Sequence, residues 1–134
     1  MKRILGIDFG TKRLGFALGD PMLKLAVPLE VVELGDKDPV KLVWSMVEED
    51  GYDHIVIGTP LTSDGDSTDM SLVVDEFAKS VKSITGLEVT LVNEHLTSKA
   101  SDQLADESGS GRHDDSLAAM LIVQEFLNEI DDSK

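Results

Sequence analysis

Two apolar runs near the start of the chain are separated by a turn too short for anything but a hairpin. Residues 3–8 end at Asp8, Gly10-Thr11-Lys12-Arg13 follows, and residues 14–18 are apolar again. A parallel pair would need a crossover of about a dozen residues, so these strands are predicted to pair antiparallel. A third strand is expected over residues 25–32. The pattern then changes period. Asp38-Pro39 has the chemistry of an N-cap and first helical residue. Val40, Val43, Trp44 and Val47 recur at helical spacing, and Gly51 supplies a stop. Trp44 is expected in the core stripe of this helix rather than stacked on a nucleic-acid base.

Residues 54–58 form a short apolar run of the kind buried in parallel sheets. A polar loop follows over 59–68. Met70, Val73, Val74, Phe77, Val81 and Ile84 mark a second helix that stops near Gly86. Another strand is expected over 89–92, a short helix over 97–106, a break at Ser108-Gly109-Ser110-Gly111, and a last helix over about 114–130. The order β-β-β-α-β-α-β-α-α predicts an α/β fold. It would have a five-stranded mixed sheet with helices on both faces, and strands one, four and five parallel.

A chain of 134 residues with 41% hydrophobic content can bury a substantial core, and one domain over 1–134 is expected. The absence of cysteine excludes a disulfide framework and thiolate chemistry. No apolar run approaches the roughly 18 residues of a membrane span, and Asp8 interrupts any signal-peptide core. A soluble, cytoplasmic protein without a membrane partner is expected. The formal charge of −14, from 26 acidic against 12 basic residues, argues against generic nucleic-acid binding and against anionic lipid.

Open α/β sheets place ligands outside the carboxyl ends of their parallel strands. Asp8 ends the first strand, Glu94 follows the apolar run of the fifth, and Gly58-Thr59-Pro60-Leu61 leaves the fourth. A third carboxylate, Asp115, precedes Ala119 and Ile122 on the stripe that Val123, Phe126 and Ile130 continue. It therefore belongs to the first turn of the last helix, on its apolar side, while Asp114 is the better N-cap candidate. Convergent acids repel and resist ionisation. A divalent cation removes that conflict, and hard oxygen donors with few histidines suit Mg²⁺ or Mn²⁺. Two such ions could activate a water and stabilise the leaving oxygen of a phosphodiester. Pattern alone favours Asp8 and Asp115 as turn and cap residues.

Lys12 and Arg13 could hold a substrate phosphate or be solvated hairpin charges. Gly10 is expected to permit a tight turn. Thr59 and Thr97 could bond phosphate, with Thr97 also a candidate N-cap. Asp64, Asp66 and Asp69 do not fit a calcium loop. His54, His95 and His113 lack zinc spacing. His95 is a candidate pH-dependent substrate contact. No nucleophile elbow supports acyl transfer.

Gly6-Ile7-Asp8-Phe9-Gly10-Thr11-Lys12-Arg13-Leu14-Gly15 resembles the opening motif of the YqgF-type pre-16S rRNA nucleases, relatives of RuvC-type Holliday junction resolvases. Val56-Ile57-Gly58-Thr59-Pro60-Leu61, Val92-Asn93-Glu94-His95-Leu96-Thr97-Ser98 and Asp115-Ser116-Leu117-Ala118-Ala119 resemble the later blocks, in order and over nearly the whole chain. The resemblance implies an RNase H-like fold and a metal-dependent endonuclease acting on structured nucleic acid. Its substrate would be precursor rRNA at the 5′ end of 16S, or branched DNA, with ribosome-assembly intermediates as partners. It maps the catalytic, metal-binding carboxylates onto Asp8, Glu94 and Asp115, with two Mg²⁺ or Mn²⁺ ions. Substrate contacts are expected from Gly10, Thr11, Lys12, Arg13, Thr59, His95, Thr97, Arg112 and His113.

This sequence has Asn93-Glu94-His95 where the family carries Asp-Glu-Arg. It also has fewer lysines before Asp115. The proposed ligands persist while substrate-facing charge is thinned. Lys2, Arg3, Lys12, Arg13, Lys99 and Arg112 are candidates for a local basic rim, and nucleic-acid binding is expected to be weak and metal-dependent. The competing expectations are a Holliday junction resolvase-like DNA nuclease, an ATP-binding module of the actin type, whose phosphate loop Gly6–Thr11 also resembles, and a non-catalytic nucleic-acid-binding module.

Overall fold

A computed structural model of the chain describes residues 2–10, 12–60, 68–93 and 115–132, with the backbone alone at 115, 116, 131 and 132. The described elements are β1 (Ile4–Phe9), β2 (Arg13–Asp20), β3 (Leu25–Glu33), α1 (Pro39–Asp50), β4 (His54–Thr59), α2 (Asp69–Thr85), β5 (Val89–Asn93) and α3 (Asp115–Asp132). The helix expected over 97–106 and the glycine-serine break after it lie outside the described residues.

The strands form a five-stranded sheet in the order β3-β2-β1-β4-β5. β1 pairs antiparallel with β2, placing Asp8 opposite Gly15, and β2 pairs antiparallel with β3. β1 and β4 are parallel, as are β4 and β5. The sheet is therefore mixed, with the expected parallel trio at β1, β4 and β5. β1 lies at its centre.

Local chemistry starts and stops the helices. The Asp38 carboxylate accepts from the Val40 N–H at 2.9 Å, and Pro39 follows it at the first helical position. Gly51 closes α1 in the left-handed region at φ 72°, where glycine carries no Cβ penalty. At the start of α2, the Thr68 hydroxyl accepts from Ser71 N–H at 3.0 Å, and the Ser71 hydroxyl accepts from Thr68 N–H at 2.8 Å. This reciprocal pair satisfies two otherwise orphaned donors.

Strand alternation divides the core between the two sheet faces. Leu5, Ile7, Leu14, Phe16, Ile55 and Ile57 pack with Val43 and Met46 of α1 and with Val74, Phe77 and Val81 of α2. Ile4, Ala17, Val56 and Val92 pack with Ala119, Ile122, Val123, Phe126 and Leu127 of α3. Each such large side chain contributes about 1.5–3 kcal/mol by leaving water. Trp44 does not join the core: it is 41% exposed, because the buried stripe of α1 is centred on Val43 and Met46. Trp44 lies about 100° around the helix from Val43. Val73 and Ile84 of α2 are exposed for the same kind of reason, while Ser71 and Ala78 are buried.

α3 approaches the sheet closely. A Cβ at Gly6 would stand 3.2 Å from the Ala119 carbonyl oxygen and would overlap the Val123 side chain. A Cβ at Gly19 would overlap Val123 as well. These two glycines form the seat of the helix. No described helix is long and apolar enough to cross a membrane.

Candidate active site at the carboxyl end of the central strand

Asp8 is the next-to-last residue of β1 and is half-buried. Ile4 belongs to the core shared with α3, whereas Leu5 and Ile7 belong to the core shared with α1 and α2. Period-two alternation therefore assigns Ile4, Gly6 and Asp8 to the α3 face.

Three contacts set the direction in which α3 crosses that face. The Phe126 ring stacks on His54, at the start of β4, with centroids 5.0 Å apart. The Gln124 amide reaches the Lys24 carbonyl in the β2–β3 turn at 3.4 Å. Ala119 lies over Gly6. Moving from residue 126 back to 119, the helix thus advances along β1 toward its carboxyl end. Asp115 begins the helix four residues further, about 6 Å along its axis. Asp8 lies two residues beyond Gly6, about 6.6 Å along the strand. Both acids therefore occupy the same end of the β1–α3 layer.

The hairpin tip brings two cations to that end. Lys12 and Arg13 are exposed, and the Lys12 carbonyl accepts from Leu34 N–H at 2.9 Å, tying the tip to the end of β3. Lys12, Arg13, Glu33 and Gly35 line a cavity of about 510 Å³. A Cβ at Gly10 would stand 2.7 Å from the Arg13 carbonyl oxygen, so the turn as built requires glycine there.

Other expected site residues fall elsewhere. Thr59 ends β4 beside Asn93 of β5 but is 5% exposed. It alternates with Val56 and Gly58, so it shares parity with Ile55 and Ile57 on the α1–α2 face, opposite Asp8. Lys2 and Arg3 precede β1 and sit at the end of the sheet away from Asp8, so they leave the expected basic rim. The Asp53 carboxylate accepts from their N–H groups at 2.7 and 3.1 Å. Burial pushes the Asp53 pKa up, but those two donors, the N-terminal charge and its own backbone N–H together hold the group below the ordinary carboxylate value. His54 is likewise far from Asp8, bonded through Nε2 to the Thr90 hydroxyl at 2.9 Å. Thr11, Glu94, His95, Thr97, Lys99, Arg112 and His113 lie outside the described residues.

Among the described residues no three His, Asp or Glu side chains form a group able to hold a metal ion. Asp8 is the described donor of the expected set, and Asp115 is described through its backbone. A carboxylate at a strand's carboxyl end, beside two cations, can pair with a hard cation and with an anionic phosphate. The glycines that let α3 approach were missed as site-forming residues. Their signal was faint: Gly6 and Gly19 stand on strands at positions otherwise filled by side chains.

The sequence and the fold both have counterparts among known proteins. The sequence profile of the RuvX family, described as Holliday junction resolvase, matches residues 2–129. A "Putative pre-16S rRNA nuclease" of Chlorobium chlorochromatii (strain CaD3) is 35% identical over 136 residues, covering 96% of each chain. A protein of the same name in Rickettsia rickettsii (strain Sheila Smith) is 30% identical, covering 95% of this chain and 86% of that one. T. thermophilus RuvC, solved in complex with Holliday junction substrate, superposes with a TM-score of 0.60 at 14% identity, covering 97% of this chain and 96% of RuvC. The large terminase nuclease of thermophilic phage G20c superposes with a TM-score of 0.55 at 17% identity, covering 92% and 81%. The fold is RNase H-like, and the chain belongs to the RuvX family.

Proposed function

We propose that this chain, as one domain over residues 1–134, is a metal-dependent endonuclease that hydrolyses phosphodiester bonds in structured nucleic acid. Its preferred substrate is the 5′ end of precursor 16S rRNA, met in the cytoplasm on ribosome-assembly intermediates. The observation that carries this reading is the common position of Asp8 and Asp115 at one end of the β1–α3 layer. Family membership and the names of the relatives support the reaction and the substrate.

In this reading Asp8, Glu94 and Asp115 hold the metal. The donor chemistry of Asp8 fits, since its carboxylate oxygens are the hard ligands that Mg²⁺ and Mn²⁺ take. Bound as a pair, such ions supply water activation and stabilisation of the leaving oxygen. Lys12 and Arg13, held by the tie from Lys12 to Leu34, position a phosphate of the substrate backbone. Thr11, His95, Thr97, Arg112 and His113 are proposed to add substrate contacts. Thr59 supports the strand end from the opposite sheet face. Gly10 keeps the turn narrow enough for substrate to approach.

The description of the matching family and the RuvC complex favour branched DNA as a second substrate. Incubation of the chain with Mg²⁺ and either a 5′ precursor fragment of 16S rRNA or a four-way DNA junction separates the two. Cleavage of the rRNA fragment, absent in EDTA and in Asp8→Asn, is expected. Cleavage of the junction alone would transfer the activity to DNA, and full activity of Asp8→Asn would remove the mechanism.

A further inference from the structure

The β3 flank of the sheet carries a second candidate surface, on the α1 face and so opposite Asp8. Arg3, Leu18, Leu29, Glu30, Met46, Asp50 and Tyr52 line an open cavity of about 350 Å³ between β3 and α1. Leu18, Leu29 and Met46 give it apolar walls. Glu30 and Asp50 set carboxylates at its rim, and the Arg3 guanidinium lies over the Tyr52 ring, 5.3 Å from its centroid. Further along β3, Leu25 and Val27 are 57% and 46% exposed, extending the apolar strip.

α1 ends in Glu48-Glu49-Asp50 with no basic residue in its last turn, where the helix dipole disfavours anions. The strand edge is a poor template for a second copy, because Pro28 offers no N–H and a bulge breaks the β2–β3 register between Gly15 and Ala17. The two carboxylates repel the phosphates of nucleic acid, and the Arg3 guanidinium is turned onto the Tyr52 ring. The complementary occupant has an aliphatic stem for the apolar walls and a cationic head for the rim, which describes a Lys or Arg side chain.

We propose that the β3–α1 cavity docks a basic segment of a partner protein, with one Lys or Arg side chain inserted between Leu29 and Met46 and its head paired with Glu30 and Asp50. Because the cavity lies on the α1 face of the sheet and Asp8 on the α3 face, the partner could hold this acidic chain on its substrate while leaving the strand end open. This proposal does not depend on the nuclease reading.

NMR titration of the isotope-labelled full chain with a blocked peptide of alternating Arg and Leu tests it. A Glu-for-Arg version of the peptide serves as the control. The expected result is saturable shifts at residues 29–30 and 46–52, none with the Glu peptide, and affinity reduced about tenfold or more by Glu30→Gln with Asp50→Asn. Asp75→Asn with Glu76→Gln on α2, which removes equal charge, should change affinity less than about twofold. Equal losses from the two pairs, shifts spread over all acidic surfaces, or a concentration-dependent dimer covering β3 would each overturn it.

Discussion

Ala119 of α3 rests against Gly6 of β1 so closely that any side chain at position 6 would press on the Ala119 carbonyl oxygen and on Val123. This contact sets the height of α3 above the sheet and hence where the helix begins relative to Asp8. Gly6→Ala should destabilise the chain by about 1–3 kcal/mol through overpacking. Val123→Ala should recover part of that loss in the double variant, because it removes the side chain that the new methyl meets. Urea unfolding of the four chains of this cycle measures the coupling.

Much of this arrangement can be read locally. The hairpin, the Asp38-Pro39 start of α1, the Gly51 stop and the parallel trio follow from turn chemistry and period. The contact between Gly6 and α3 does not, because it joins residues more than a hundred positions apart. The exposure of Trp44 is not legible in the sequence, because helical spacing defines a stripe without saying where the sheet centres it. Thr59 is the last residue of β4, and its face depends on alternation from Val56 and Ile57. Asp8 was legible from its place at a strand end, and Asp115 from its spacing to Ala119 and Ile122. The metal-ligand roles of Glu94 and the partner acids rest on motif resemblance.

His54 should make stability pH-dependent. Burial lowers its pKa, and the nearby Glu88 and Asp53 only partly oppose that shift. The folded chain therefore favours the neutral ring, while the unfolded chain takes up a proton near the ordinary value of about 6.5. Stability is fully present above that value and is lost as pH falls toward the lowered folded pKa. Denaturation midpoints across this range should decline less in His54→Gln, which cannot titrate.

Thr68 links the start of α2 to the segment leaving β4. Its hydroxyl donates to the Pro60 carbonyl at 2.6 Å and accepts from Ser71 N–H at 3.0 Å. Thr68→Ala should cost about 0.5–2 kcal/mol by removing the cap. Thr68→Ser, which keeps the hydroxyl, should recover most of it in the same thermal unfolding measurement.

Lys12 and Arg13 are expected to act through phosphate. Lys12→Gln and Arg13→Gln should each weaken substrate binding and reduce the slope of log affinity against log salt by about 0.7–0.9. KM should rise more than kcat falls, since these residues hold substrate rather than reacting atoms. Fluorescence anisotropy with a labelled precursor-rRNA fragment, over a series of salt concentrations, reads the slope directly.

The central claim is that Asp8, Glu94 and Asp115 share one metal pocket at the carboxyl end of β1. Anomalous diffraction from crystals soaked in Mn²⁺ tests it without relying on catalysis. The expected result is a peak with carboxylate oxygens of all three residues within about 2.2 Å of one ion or of an adjacent pair, and its loss in Asp8→Asn crystals. Manganese bound elsewhere while these three carboxylates remain apart would contradict it.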